Sequence, residues 1–168
     1  MKNGLAYISG VFDGEGSLVI GKYPNKGNRN LAYRGFMAIA NTYLPVLEYI
    51  QGVIGGKIVL QKQTSGFSAG CICYSLTLTA NEIREWLPKL MPYLIVKKRQ
   101  AEVLLAFLTR QANNASAPVS KELLELYENA YQEMKALKKL RFEYKRPPET
   151  FTIKNCKVCG REFSCGSK

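Results

Sequence analysis

Two acidic residues, Asp13 and Glu15, alternate with two glycines near the start of the chain. Leu5, Ile8 and Phe12 precede them at helical spacing and predict a short helix, which the glycines stop. The two carboxylates then lie at or just past a helix C-terminus, where free carbonyl groups already carry partial negative charge. Such a group of oxygens suits a hard divalent cation such as Mg²⁺. A surface Asp-Gly turn is the alternative interpretation.

The predicted helix has a face of small residues. Ala6 and Gly10 are four residues apart and therefore lie on the same side of the helix. Because this face has almost no side-chain bulk, the backbone of another helix can approach it closely. We therefore expect a helix–helix contact there.

Charge and composition restrict the classes of function. The chain has 168 residues, with 24 basic against 13 acidic residues and a formal net charge of +11. This balance indicates a polyanionic partner, most simply nucleic acid, and a scattered positive surface is the alternative. The apolar content of 46% favours a folded domain over disorder.

The chain contains no histidine. Ser-His-Asp triads, Cys-His pairs and histidine-ligated metal sites are therefore excluded, and any hydrolysis must use carboxylates, lysine, metal ions and water. The five cysteines and the lack of a visible signal peptide favour a reducing intracellular compartment, either a microbial cytoplasm or an organelle matrix. No apolar run approaches the ~20 residues of a membrane span, so no membrane partner is expected.

The rest of the chain predicts two β-hairpins alternating with helices. The first hairpin covers residues 17–23 and 31–40, and the second covers residues 57–63 and 71–79. The predicted order is αββαββα with extra C-terminal helices, the last of them long and capped by Ser120. The fold class is therefore α+β: a saddle-like antiparallel sheet with helices on one face. Residues 1–146 form one domain, and residues 147–168 form a basic tail that starts with two prolines.

Residues 8–16, ISGVFDGEG, resemble the nine-residue signature of the LAGLIDADG homing endonucleases. The chain departs from that signature by Ser9 at the second position and by Glu15 at the second acid. Only one copy is present, and single-copy chains of this family act as homodimers. The resemblance covers the element order from Leu5 to Leu108. It implies a sheet seated on double-stranded DNA, with the motif helices meeting at the dimer interface.

The resemblance also implies roles for the residues at the end of the motif helix. Glu15 would be the direct metal ligand and the Gly14 carbonyl a second one, with Mg²⁺ or another divalent cation such as Mn²⁺ or Ca²⁺ in the site. Asp13 would hold the turn or the interface, which we favour over direct metal ligation. Lys97 would polarise water or steady the phosphate charge, and Asn41 is the nearest candidate for positioning water.

Basic, amide and aromatic residues on the two hairpins and at the start of the following helix are candidates for DNA contact. A twisted two-stranded ribbon fits the DNA major groove, and contacts to phosphate would make binding salt-dependent. The candidates are Lys22, Tyr23, Asn25, Lys26, Asn28, Arg29, Tyr33, Arg34, Lys57, Gln61, Lys62, Gln63, Lys98 and Arg99.

The C-terminal tail contains three cysteines in a pattern that resembles a zinc knuckle. Cys156 and Cys159 have the spacing of a metal-binding pair, and Cys165 is a third thiol. Structural zinc normally takes four ligands, so a distant thiol or a partner chain would have to complete the site. A basic tail with free thiols is the alternative.

Three functions are compatible with these features. The first is a Mg²⁺-dependent, site-specific DNA endonuclease that makes a staggered double-strand break in a long, near-palindromic site. The second is a maturase, in which the same fold binds intron RNA and assists splicing. The third is a DNA-binding protein without catalysis. Glu15 and Lys97 favour the first function.

Overall fold

A computed structural model describes residues 2–24, 31–62, 72–114, 120–139, 151–155 and 162–166. The described residues form helices, strands and a short 3-10 helix, Met91–Tyr93, which follows the third helix. In chain order the elements are α1 (Lys2–Glu15), β1 (Gly16–Pro24), β2 (Leu31–Asn41), α2 (Leu44–Ile54), β3 (Lys57–Lys62), β4 (Ile72–Leu78), α3 (Ala80–Leu90), α4 (Lys98–Asn113), α5 (Lys121–Lys139), β5 (Phe151–Asn155) and β6 (Glu162–Gly166).

Strands β1 to β4 form one antiparallel sheet in the order β1-β2-β4-β3. In the first hairpin, Gly16 pairs with Ile39, so β1 begins beside the end of β2. The two hairpins join through β2 and β4, where Met37 pairs with Leu78. The predicted α+β class and the single continuous sheet are therefore confirmed.

The sheet has one face covered by helices and one open face. Leu18, Ile20, Met37 and Ile39 alternate along β1 and β2 and are buried against the helices. The intervening residues point the other way. We call this side the open face, and its exposed side chains belong to Ser17, Tyr23, Arg34, Phe36, Ala40, Lys57, Val59, Gln61 and Thr77.

Helix α4 packs tightly on the first hairpin because a glycine leaves it room. A Cβ atom at Gly35 would lie 2.8 Å from side-chain atoms of both Leu104 and Leu108. The buried residues Tyr127 and Met134 then fix α5 to the same core. The first hairpin is therefore supported by two helices of the C-terminal half.

Local signals fix the ends of the helices. Thr79 and Glu82 form a capping box at the start of α3. Helix α2 ends before Gly55 and Gly56, whose φ values of +76° and +95° suit glycine. Ser120 accepts a hydrogen bond from the Leu123 N–H, as expected for its cap.

Strands β5 and β6 form a separate two-stranded antiparallel sheet within the predicted C-terminal tail. Cys165 lies on β6 opposite Thr152. Cys156, Cys159 and the side chain of Cys165 lie outside the described residues, so the zinc site stays a prediction. None of the helices in the described ranges is long and apolar enough to cross a membrane.

Candidate active site at the end of the first helix

Helix α1 passes directly into β1, with Glu15 its last residue and Gly16 the first of the strand. A Cβ atom at Gly16 would lie 2.4 Å from both the ring and the carbonyl oxygen of Phe12. Only glycine fits there, because no side-chain carbon tolerates backbone at that distance. The buried Phe12 and the glycine together set the angle at which the helix becomes the strand, with both acids in the last turn.

The Asp13 carboxylate is a hydrogen-bond acceptor for a distant loop. Its Oδ2 accepts from the backbone N–H groups of Ile95 and Val96 at 2.7 and 3.2 Å, and its Oδ1 accepts from the N–H of Lys97 at 2.9 Å. Burial opposes ionisation, but these three hydrogen bonds outweigh it and lower the pKa of Asp13 below its ordinary value. Asp13 therefore fixes the loop that leads into α4.

Lys97 supplies the positive charge that the end of α1 needs. Its Nζ donates to the backbone carbonyl of Asp13, one of the carbonyls that a helix leaves unpaired at its C-terminus. Burial lowers the pKa of Lys97, and the charges of Asp13 and Glu15 oppose that shift. The cation that compensates this helix end thus comes from 84 residues later in the chain.

Glu15 differs from Asp13 because its carboxylate remains free. The side chain is exposed, and within the described part of the chain it forms no ion pair or hydrogen bond. Its charge nevertheless acts on Lys97. The Glu15 carboxylate and the neighbouring Gly14 carbonyl are oxygen donors that suit Mg²⁺. Among the described residues there is no group of three acidic or cysteine side chains that could hold a metal ion.

A stripe of small residues runs along α1 toward Glu15. Ala6, Gly10 and Gly14 follow one another at intervals of four and are all exposed. A Cβ atom at Gly10 or Gly14 would meet nothing within 4 Å. Packing inside the described chain therefore gives no reason for glycine at these two positions. Close approach of a helix from a second molecule would give one.

The candidate DNA-contact residues fall into separate groups. Tyr23, Arg34, Lys57 and Gln61 are exposed on the open face. Several others lie outside the described residues or have side chains that do: Asn25, Lys26, Asn28, Arg29, Lys62 and Gln63.

Lys22 and Tyr33 face the helices instead of the open face. The Lys22 ammonium lies 2.7 Å from Glu128 Oε2 on α5, and the buried Tyr33 donates its hydroxyl to the same oxygen. Gln132 donates to the other oxygen of Glu128. We call Lys22, Tyr33, Glu128 and Gln132 the α5 brace, because they tie α5 to the first hairpin. Lys22 and Tyr33 are therefore not available on the open face.

The remaining candidates lie near the end of α1 or at the start of α4. Asn41 is at the same end of the sheet as Glu15, but its Oδ1 accepts from the Tyr43 N–H at 2.8 Å and shapes the turn into α2. Lys98 is exposed. Arg99 is engaged within the chain by Glu102 at 3.0 Å and by Glu133 at 2.6 Å.

Sequence reasoning missed two residues that matter for the architecture. Glu128 lies on the charged side of α5, and its partners Lys22 and Tyr33 are 106 and 95 residues away, so no local pattern reveals it. Phe36 is exposed on the open face although it lies in a largely apolar strand. Phe36 pairs with Val19 on β1, and Val19 points away from the buried Leu18 and Ile20. This pairing is the signal that could have identified Phe36 as a residue of the open face.

The arrangement defines a class: an α+β protein whose motif helix ends in an acidic turn beside a sheet with one open face. No family model and no curated protein matches the sequence. Solved structures do match. They include the archaeal intron-encoded homing endonuclease I-Vdi141I complexed with DNA, at 20% identity and a TM-score of 0.66, covering 82% of this chain and 86% of that one.

Two further structures show the same likeness. The homing endonuclease I-CvuI in complex with its target matches at 18% identity and a TM-score of 0.64, over 81% of this chain and 82% of that one. The group I intron-encoded homing endonuclease I-CeuI complexed with DNA matches at 16% identity and a TM-score of 0.66, over 80% of this chain and 67% of that one. The chain therefore has the LAGLIDADG homing endonuclease fold, and the resemblance read from the motif is confirmed for the fold.

Proposed function

We propose that this protein is a homodimeric, site-specific DNA endonuclease that hydrolyses phosphodiester bonds with divalent cations. One observation carries the proposal: Glu15 is exposed and free of partners in the described chain, while Lys97 and Asp13 are fixed beside it. Lys97 offsets part of the negative charge at this helix end, and the free Glu15 carboxylate remains available as an oxygen ligand for a divalent cation. The fold is that of structures complexed with DNA, which supports a nucleic-acid substrate.

Dimerisation would complete the site. The exposed stripe of Ala6, Gly10 and Gly14 lets the α1 helices of two copies approach closely, and it leads directly to Glu15. The two acidic turns would then lie together, each serving one DNA strand. Gly10→Leu should give a monomer by light scattering, whereas Ala136→Leu, at an exposed position on α5, should not. A dimer of unchanged mass in Gly10→Leu would contradict this arrangement.

Glu15 and the Gly14 carbonyl would hold the cation, which we expect to be Mg²⁺. A divalent cation bound there would activate water and stabilise the charge on the leaving oxygen. Both groups are hard oxygen donors, so Mn²⁺ and Ca²⁺ also fit the site. The I-CvuI structures were determined in the presence of Ca or Mg, which is consistent with a divalent cation here.

Lys97 would stabilise negative charge on the phosphate. Its ammonium group is held at the end of α1 by the Asp13 carbonyl, while the Asp13 carboxylate fixes the Lys97 backbone. A pre-oriented cation in a partly buried position costs little reorganisation when charge develops in the reaction. In this proposal Asp13 is a positioning residue and does not bind the metal.

The DNA would lie across the open face. A two-stranded ribbon fits the major groove, and exposed Arg34, Lys57 and Gln61 can contact base edges or phosphates. The net charge of +11 would supply much of the affinity, which should fall steeply with salt.

The test is cleavage of DNA that spans the uninterrupted insertion site of the element encoding the protein. Purified protein with Mg²⁺ should cut both strands, leaving a staggered break, and Glu15→Gln should bind the same DNA without cutting it. Intact DNA after incubation with folded wild-type protein would overturn the proposal. Tight binding to the host intron RNA without DNA cleavage would indicate the maturase function instead.

A further inference from the structure

Three exposed side chains on the open face are organised as one unit. The rings of Tyr23 and Phe36 meet edge to face, with centroids 6.1 Å apart and an interplanar angle of 76°. The Arg34 guanidinium carbon lies 5.9 Å from the centroid of the Tyr23 ring. Two strands thus contribute an aromatic pair and a cation to the same patch of surface.

A glycine makes this arrangement possible. Gly21 pairs with Arg34 across the hairpin, and a Cβ atom at Gly21 would lie 2.6 Å from the end of the Tyr23 ring. The Tyr23 side chain therefore lies back along its own strand, over Gly21 and near both Arg34 and Phe36. Any larger residue at position 21 would displace the ring.

Exposure distinguishes this patch from ordinary sheet packing. Tyr23 and Phe36 are 42% and 40% exposed, so the pair buries little apolar surface within the chain. Within the described residues no carboxylate pairs with Arg34. The aromatic contact restricts the guanidinium without neutralising its charge. A restricted arginine loses less entropy when it forms two hydrogen bonds to a base.

We propose that Tyr23, Arg34 and Phe36 form one base-reading unit that selects a guanine and a nearby thymine. Arginine binds the O6 and N7 atoms of guanine through two hydrogen bonds, and an aromatic side chain packs on the thymine methyl group. Residues two apart in a strand are about 7 Å apart, which matches the rise of about two base pairs. Because β2 runs toward Glu15, the thymine lies about two base pairs nearer the centre of the site.

This inference rests on the proposed function, since it requires DNA on the open face. It is tested by selecting binders from a library of random duplexes in EDTA, so that cutting is not needed. The wild-type chain should enrich a half-site that contains the guanine and the thymine. At the position of that guanine, the wild-type chain should prefer guanine over other bases by at least about tenfold. Arg34→Lys keeps the charge but lacks the planar guanidinium group, so this preference should fall below about twofold.

Further variants separate the parts of the unit. Phe36→Ala should remove the thymine preference alone. Gly21→Ala should displace the Tyr23 ring and weaken the guanine preference by about threefold, with every charge in place. Lys121→Ala, at an exposed position at the start of α5, is the control and should leave both preferences unchanged. Unchanged thermal unfolding midpoints will show that the variants are folded.

Different failures have different meanings. If Arg34→Lys and Arg34→Ala enrich the wild-type half-site, the base-reading unit is wrong and the proposed function stands. If they lower the affinity for every sequence equally, Arg34 contacts phosphate and the unit is also wrong. If no duplex is enriched by the wild-type chain, both the unit and the proposed DNA-binding function are overturned.

Discussion

Asp13 at the end of α1 and Glu128 in the middle of α5 each collect several hydrogen bonds on one carboxylate, but from different donors. Asp13 accepts from three consecutive backbone N–H groups of one loop. Glu128 accepts from three side chains, those of Lys22, Tyr33 and Gln132. Backbone donors have no rotamer freedom, whereas side-chain donors can turn toward water when their acceptor is lost.

The two kinds of donor match the precision with which each region must position its neighbours. The end of α1 must keep Lys97 beside Glu15 in one geometry, and a backbone anchor does so. The α5 brace has only to keep a helix on the outer part of the first hairpin. In the first region the Glu15 carboxylate, next to this anchored turn, makes no hydrogen bond or ion pair within the described part of the chain, and there we place the chemistry. Changes at the end of α1 should therefore affect cleavage most, and changes in the α5 brace should affect stability.

The largest effect is expected from Glu15→Gln. The change keeps the shape of the side chain and removes the charge that would hold the cation, so cleavage should fall by more than about a thousandfold. Stability should be unchanged or slightly higher, because a negative charge is lost from a helix C-terminus. Cleavage rates and urea unfolding measure the two effects. Glu125→Gln, at an exposed position on α5, is the control, and equal loss of activity in both variants would contradict the assignment.

The next largest effect is expected from Lys97→Met, which keeps most of the side-chain volume. Loss of a pre-oriented cation should lower the cleavage rate by about a hundredfold, while DNA binding changes little. Single-turnover cleavage with saturating protein separates the two quantities. Lys98→Met, one residue later and exposed, should lower affinity only. Comparable cleavage rates for the two variants would show that Lys97 is one more phosphate contact.

Asp13→Asn should affect both stability and activity, to a smaller extent. The amide has one acceptor oxygen, and its NH₂ group would face a backbone N–H, so the loop from Ile95 to Lys97 loses part of its anchor. We expect a loss of about 1–2 kcal/mol in the free energy of unfolding, the range for lost helix caps. Cleavage should fall about tenfold through the displaced Lys97. Asp13→Glu keeps the charge, so its stability and cleavage rate should lie between those of the wild type and Asp13→Asn. Wild-type stability in Asp13→Asn would show that the Asp13 carboxylate does not anchor the loop.

The sequence predicts those features that depend on neighbouring residues. The helical spacing of the apolar residues in α1 and the Ser120 cap are local, so pattern and propensity determine them. The acidic turn is local as well. The compensation of its negative charge is not local, because Lys97 and the loop that binds Asp13 are more than 80 residues away in the chain. For Asn41 the resemblance implies a role in positioning water, which stays a prediction, and the structure adds that its Oδ1 accepts a hydrogen bond from the Tyr43 N–H.

The α5 brace differs from the local features because its two sides meet only in the folded chain. Tyr33 is a candidate for DNA contact from the sequence, yet it is buried under α5. Strand alternation with Met37 and Ile39 would place it correctly, because all three lie an even number of residues apart. No sequence pattern identifies Glu128, because several glutamates lie on the polar side of α5. Only the folded structure brings one of them next to Lys22 and Tyr33.

The smallest expected effect is a change in the pH dependence of stability in Glu128→Gln. Hydrogen bonds from Lys22, Tyr33 and Gln132 lower the pKa of Glu128 from 4.5 to about 2. A lowered pKa stabilises the folded state fully above the unfolded value, and this contribution is lost as the pH falls from about 4.5 to about 2. The difference in unfolding free energy between wild type and Glu128→Gln should therefore be largest near neutral pH and shrink over that range.

Urea unfolding at a series of pH values measures this difference, with Glu125→Gln, at an exposed position on α5, as the control. The effect of salt on the two variants Glu128→Gln and Asp13→Asn should also differ. The brace includes an exposed ion pair, so high salt should reduce the effect of Glu128→Gln, whereas the backbone hydrogen bonds of Asp13 are screened less. A difference that stays constant from neutral pH to pH 2 would mean that the brace stabilises the chain by packing and not by the charge of Glu128.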